Sequence, residues 1–285
     1  NDYMLFLLHV ILGQQHKIAF ENPTYRQAYR LFERLGYPVC TVDMDQYGME
    51  ARILRETDAD IAYVMPSHQY PLGIVMPIRR RMELLSWADE AEGRYLIEDD
   101  YDSEFRFTGR PIPTLQSIDR GERVIYMNTF SRTLAPSLRI SYMVLPRGLL
   151  EQYQQKLGFY SCTVPAMEQF TLARFLSQGS FETHVNRMRV FYRARRDQVL
   201  SALEDSPLAG RYQVRGEDAG LHFLVRLDTR LPDGELSRRA RERGIRLSFL
   251  TDYGGGEEHC LVVNYPGVDL ARLPQALGEL AQLLT

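Results

Sequence analysis

Between residues 17 and 145 the chain alternates short apolar runs with segments of helical period, and this alternation restricts the fold more than any other feature. Strand-like runs occupy residues 17–21, 37–42, 60–65, 95–99, 123–128 and 140–145; helical patterns fall at 22–35, 49–56 and 77–92. The pattern predicts a mostly parallel sheet covered on both faces, an α/β architecture. In such a sheet ligands sit beyond the carboxyl ends of the strands, so the polar residues that close each run are the candidates for function.

From Gly148 the character changes. Residues 149–156, 165–177, 181–204, 234–242 and 269–284 read as helices, and 212–214, 220–227, 245–249 and 260–264 as strands. That is a small α+β lobe, and the expected division is a large lobe over residues 1–180 and a small C-terminal lobe over 181–285. Two lobes sharing a cleft suit a chain of 285 residues. Residues 3–12 are apolar nearly all round and predict a buried helix. The arginines of 181–204 recur at helical spacing and read as a solvated face. Residues 77–92 predict a helix with Ile78, Met82, Leu85 and Ala88 on one side.

A net charge of −3 gives no footprint for nucleic acid. No apolar run reaches the length of a membrane span, and no basic-then-apolar leader opens the chain. Cys40, Cys162 and Cys260 are scattered and odd in number, as expected of reduced thiols in a cytoplasmic protein. His184, His222 and His259 show no ligand spacing, so no metal site is expected.

Three strand ends carry the polar residues. The run 95–99 stops in Glu98-Asp99-Asp100-Tyr101, and alternation along a strand puts Asp99 and Tyr101 on one face, Glu98 and Asp100 on the other. A carboxylate beside a phenol suits a heteroaromatic ring, the acid keeping a ring nitrogen protonated and the phenol donating to a ring oxygen. Acids at a strand end equally serve to cap the next turn. Thr129 and Ser131 follow the run 123–128, with Arg139 one turn further on. Hydroxyls and a guanidinium at such a junction suit a phosphate dianion, and also simply close turns. His68 and Gln69 stand at a third strand end. Tyr25, just after Pro23, offers a ring face or packs in the core.

The strings 97–105 (IEDDYDSEF), 66–73 (PSHQYPLG), 126–146 (YMNTFSRTLAPSLRISYMVLP) and 220–223 (GLHF) closely resemble the MocR/GabR-type bacterial transcription regulators. Proteins of that type join a GntR-like winged helix-turn-helix to a domain with the type I aminotransferase fold, which binds pyridoxal phosphate and senses an amine or amino acid. The resemblance implies that Asp99 pairs with the pyridinium nitrogen and Tyr101 with the phenolic oxygen. It places Tyr25 on or near the ring and Thr129, Ser131 and Arg139 on the phosphate; His68 and Gln69, at the third strand end on the same sheet edge, are further candidates for holding the cofactor. It further implies a homodimer, and contact with DNA only through a domain preceding residue 1.

Two positions depart from the pattern. The Schiff-base lysine of the family is replaced by Arg132, and the only lysines in the chain are Lys17 and Lys156. Arginine stays protonated and does not condense with an aldehyde. Pyridoxal phosphate is therefore expected to bind without a covalent bond or not at all, and no residue is expected to be catalytic. An arginine here fits either a sensor that has lost its tether or a substitution made to trap a state. The position of the arginine that grips the effector carboxylate in the GABA-sensing relative falls near Glu258, which would repel that group. The expected function is thus effector sensing and dimerisation. The rival readings are a pyridoxal-phosphate-dependent aminotransferase, whose active form needs lysine at position 132, and a scaffold that binds no cofactor.

Overall fold

The computed structural model describes residues 2–109 and 112–284. Its larger sheet is built from β1 (Ile18–Asn22), β2 (Val39–Asp45), β3 (Gly48–Met49), β4 (Ile61–Val64), β5 (Tyr95–Asp100), β6 (Val124–Thr129) and β7 (Ser141–Val144). Their spatial order is β3-β2-β1-β4-β5-β6-β7. The ladders from β2 through β6 are parallel, and only the edge strands β3 and β7 run antiparallel.

Alternation along these strands divides the core into two layers. Phe20, Tyr63, Ile97 and Met127 pack on one face against helices Asp2–Leu12, Arg26–Arg34 and Arg147–Leu157. Ala19, Ala62, Val64 and Leu96 pack on the other against Ala51–Glu56 and Ile78–Asp89. A smaller antiparallel sheet of β8 (Tyr212–Arg215), β9 (Phe223–Leu227) and β10 (Cys260–Val263), in the order β10-β9-β8, lies with helices Ser180–Glu204, Asp233–Glu242 and Leu273–Leu283. No described helix is long and apolar enough to cross a membrane.

Several expectations are corrected. Residues 245–249 alternate as a strand should, yet make one isolated bridge, Phe249 to Leu261. The Asp252 carboxylate accepts the Phe249 N–H at 2.9 Å and diverts the chain into a tight turn. The run 220–227 enters its ladder only at Phe223, because the Gly220 and Leu221 N–H groups donate to Phe105 O and Asp102 Oδ2 instead. The first helix is not buried all round: Tyr3, Phe6 and Val10 form an exposed stripe. In helix Ile78–Asp89, Arg81 takes a core position and donates to the carbonyls of Pro66, Met76 and Pro113. The helix therefore turns Ile78 and Met82 outward.

The arginines of helix Ser180–Glu204 also depart from a merely solvated face. Arg189, Arg193 and Arg196 donate to the carbonyls of Glu104, Phe107 and Glu217 at 3.0, 2.8 and 2.7 Å. The first two bonds fasten the helix to the segment that follows β5.

One carboxyl in β1 makes stability depend on pH. Glu21 is fully buried, and burial pushes it up to about 8 although its Oε2 accepts the Met65 N–H. A carboxyl whose pKa rises on folding takes up a proton as the chain folds, so this contribution weakens stability as pH climbs from the ordinary carboxyl range toward 8. Glu21→Gln keeps the neutral shape at every pH. It should be near neutral at pH 4 and stabilising by on the order of 3 kcal/mol at pH 7. Denaturant midpoints at the two pH values check this; an equal shift at both would contradict it.

Candidate ligand-binding site

A cavity of about 410 Å³ opens beyond the carboxyl ends of β1, β4, β5 and β6, which lie side by side in the sheet. This is where a doubly covered parallel sheet admits ligands, and the volume falls in the roughly 300–1,000 Å³ range of small-molecule pockets. Each of the four strand ends contributes to it.

Asp99 comes from β5 on the same face as Ile97. Tyr63 of β4 is in register with Ile97, so its hydroxyl reaches two residues on and donates to Asp99 Oδ2. Asp99 is only 3% exposed, and burial pushes its carboxyl up to about 6 against the pull of that phenol. Its neighbours face the other way and serve the chain itself. Glu98 accepts the N–H groups of Leu115 and Gln116 at 2.9 and 3.0 Å, while Asp100 accepts from the Tyr126 and Ser103 hydroxyls. The turn-closing reading of this acidic run therefore holds for Glu98 and Asp100, while Asp99 lines the cavity.

Tyr101 follows directly, its hydroxyl 3.1 Å from His68 Nδ1, and the same nitrogen is 3.0 Å from Asp102 Oδ2. An Nδ1 proton facing the carboxylate leaves the Tyr101 hydroxyl proton for a partner in the cavity. Burial holds this phenol well above its ordinary pKa, so it is neutral.

The next wall comes from the end of β6. Thr129 Oγ1 accepts the Ser131 N–H at 3.2 Å and starts the turn Phe130–Thr133, which carries Arg132. Arg139 ends the following turn in the left-handed region, with φ 53°, where the chain reverses into β7. Thr129, Ser131, Arg132 and Arg139 all line the cavity, and Arg132 and Arg139 are exposed. Tyr25 lines it from the end of β1.

The cavity thus gathers Tyr25, Asp99, Tyr101, Thr129, Ser131, Arg132 and Arg139, but not His68 or Gln69. Gln69 is buried and spends its amide on the carbonyls of Pro23 and Tyr70 and on the Leu72 N–H. His68 stands behind Tyr101. The residue of that loop that lines the cavity is Tyr70, edge-on to Tyr25 and Tyr101 with centroids 6.2 and 6.3 Å away. Its place beside Pro71 was the available signal, since consecutive residues of a tight turn point apart. Asp2, Gln27, Met65 and Pro136 complete the lining without any sequence signal.

Glu258 does not line the cavity; it is exposed and lies 3.9 Å from His259 Nε2. Neither lysine approaches: Lys17 pairs with Asp58, and Lys156 donates to Ile11 O at 2.6 Å. His68, Asp102 and His222 do cluster, which spacing concealed. Their contacts go to Tyr101, to the Leu221 N–H and to Pro71 O.

Residues 2–280 match the family model for aminotransferase class I and II. The uncharacterized HTH-type transcriptional regulator YdeL of Bacillus subtilis is 41% identical over 87% of this chain and 53% of its own length. The probable rhizopine catabolism regulatory protein MocR of Rhizobium meliloti is 33% identical over 91% and 53%. The pyridoxine biosynthesis regulator PdxR of Corynebacterium glutamicum is 32% identical over 99% and 61%. The chain thus spans little more than half the length of these relatives. Pyrococcus horikoshii kynurenine aminotransferase, solved with PMP and kynurenine, matches with a TM-score of 0.85 and 27% identity, over 99% of this chain and 72% of that one. The likeness confirms the type I aminotransferase fold with its small C-terminal sheet. By these matches the chain belongs to the aminotransferase class I and II family, with MocR-type HTH regulators among its relatives.

Proposed function

We propose that this chain is the ligand-sensing and dimerising part of a MocR-type transcription regulator, and that its cavity binds a pyridoxal-phosphate-like ligand reversibly. The observation that carries this is Arg132, lining the cavity with Asp99 and Arg139 while no lysine does. The family is pyridoxal-phosphate-dependent, and the donor set fits that group. Asp99 is a buried acceptor for a ring N–H, Tyr101 a neutral phenol beside it, and Ser131 and Arg139 are donors for a phosphate, with Thr129, whose hydroxyl donates to Ile140 O at 3.2 Å, shaping the turn that presents them. Tyr25 and Tyr70 supply aromatic walls.

When bound, such a cofactor supplies an electron sink for chemistry at an amine. What these side chains do is hold and orient. Asp99 favours a protonated ring, Tyr63 fixes Asp99, and His68 fixes Tyr101. Gln69 stiffens the loop that carries Tyr70. No side chain in the cavity is an amine able to form the covalent link, so the reading is a sensor and not an aminotransferase.

Sensing requires that the ligand favour one arrangement of the lobes over another. The bonds from Arg189, Arg193 and Asp102 across to neighbouring elements give ligand contacts at Tyr101 a route to the small sheet. The exposed stripe Tyr3, Phe6 and Val10, together with exposed Phe159, Met167 and Phe170, supports a homodimer. DNA contact belongs to a domain outside this chain, and the effector is an amine or amino acid. Small-angle scattering with and without pyridoxal phosphate tests the sensor: the profile should change, and identical profiles at saturation would count against it.

A further inference from the structure

The cavity holds more positive charge than a phosphate calls for. Arg132 and Arg139 both line it, and among the described residues neither has an ion-pair or hydrogen-bond partner. Arg80 and Arg81, by contrast, are committed, the first to Asp45 and the second to three carbonyls. Of the two acids in the lining, Asp99 already accepts from Tyr63, and Asp2 sits exposed at the start of the first helix.

The two guanidiniums reach the cavity from different turns, Arg132 from Phe130–Thr133 and Arg139 from the end of Pro136–Leu138. Burial raises the phenol pKa of Tyr25, Tyr70 and Tyr101; the Arg132 charge offsets part of that rise at all three, and the Arg139 charge does so at Tyr25. Arg132 thus shares the cavity with all three tyrosines, which line it as well. On the resemblance that puts the family's Schiff-base lysine at position 132, the side chain there would face the substituent that the ring carries at the aldehyde carbon. A guanidinium offers that substituent a fixed positive charge and a planar fork of donors, which matches a carboxylate and repels an ammonium.

We propose that the cavity is a two-anion site, whose ligand is a phosphorylated pyridine with a carboxylate in place of the aldehyde. Arg139 and the Ser131 hydroxyl take the phosphate, and Arg132 takes the acid. This rests on the reading of the cavity as a site for a phosphorylated pyridine. It inverts what a lysine-bearing site accepts, since an aminomethyl ring would be disfavoured here.

Calorimetric titration of this chain with four probes of identical ring and phosphate tests it: pyridoxic acid phosphate, pyridoxal phosphate, pyridoxine phosphate and pyridoxamine phosphate. The acid should bind about tenfold or more tighter than the alcohol, as a charge-assisted pair warrants, and the amine weakest. In Arg132→Gln the acid should lose that advantage, and in Arg139→Gln all four should weaken together. Equal affinities across the series, or an acid preference that survives Arg132→Gln, would overturn the two-anion site while leaving the pyridine phosphate reading intact. Failure of all four to bind would overturn both.

Discussion

Arg132→Lys is expected to convert a chain that releases pyridoxal phosphate on denaturation into one that keeps it. The position lines the cavity on the turn Phe130–Thr133, one residue after Ser131, and the nearest rival amines are engaged elsewhere. A lysine placed beside Arg139 would share a cavity with a permanent cation, which lowers the amine pKa and raises the fraction able to attack. The amine nitrogen then bonds to the aldehyde carbon with loss of water. The change should be close to all-or-none. A visible absorbance band fixed by borohydride, and a mass increase of one pyridoxyl phosphate, should appear in the lysine variant only. If the variant binds the ring but never acquires the bond, position 132 does not face the aldehyde.

Gly220→Ala should be the most destabilising single methyl that can be added at the lobe junction. Gly220 sits at φ +68°, and a Cβ there would fall 1.9 Å from His68 Nδ1 and 2.7 Å from Asp102 Oδ2. Its backbone is tied on both sides: its N–H donates to Phe105 O at 2.8 Å, and its carbonyl accepts the Tyr265 hydroxyl at 2.6 Å. A left-handed alanine costs about 1–2 kcal/mol, and overpacking about 1–3 more. The sum is roughly 4 kcal/mol, with the small sheet loosening first. Gly234→Ala is the control, in a helix with nothing near its Cβ, and should be neutral or mildly stabilising. Denaturant unfolding compares the two; equal midpoints would show that the His68–Asp102 cluster yields. Because His68 supports Tyr101, Gly220→Ala should also weaken pyridine phosphate binding in whatever fraction stays folded.

The parallel sheet was legible because buried strands leave continuous apolar runs, and because period-two alternation separates Asp99 from Glu98 and Asp100. That argument needed no tertiary contact. What escaped it depended on partners distant in sequence. The run 245–249 has a strand's pattern, but the Asp252 carboxylate competes for the Phe249 N–H and wins. The arginines of Ser180–Glu204 have a surface pattern, but their guanidiniums reach carbonyls more than twenty residues away in sequence. In the loop 66–73 the titratable His68 drew the site assignment, whereas the turn geometry gives the cavity to Tyr70. Resemblance supplied the position of the missing lysine, and the cavity geometry adds that Arg132 lines the space the lysine would occupy.

As a sensor, the chain is proposed to hold a phosphorylated pyridine in this cavity without a covalent bond. Equilibrium dialysis of the unaltered chain against pyridoxal phosphate, followed by borohydride, denaturation and intact mass measurement, tests it most directly. About one ligand per chain is expected before denaturation, with an unchanged protein mass after it and loss of the uptake in Asp99→Ala. No uptake at all, or a pyridoxyl mass retained on the unaltered chain, would contradict it.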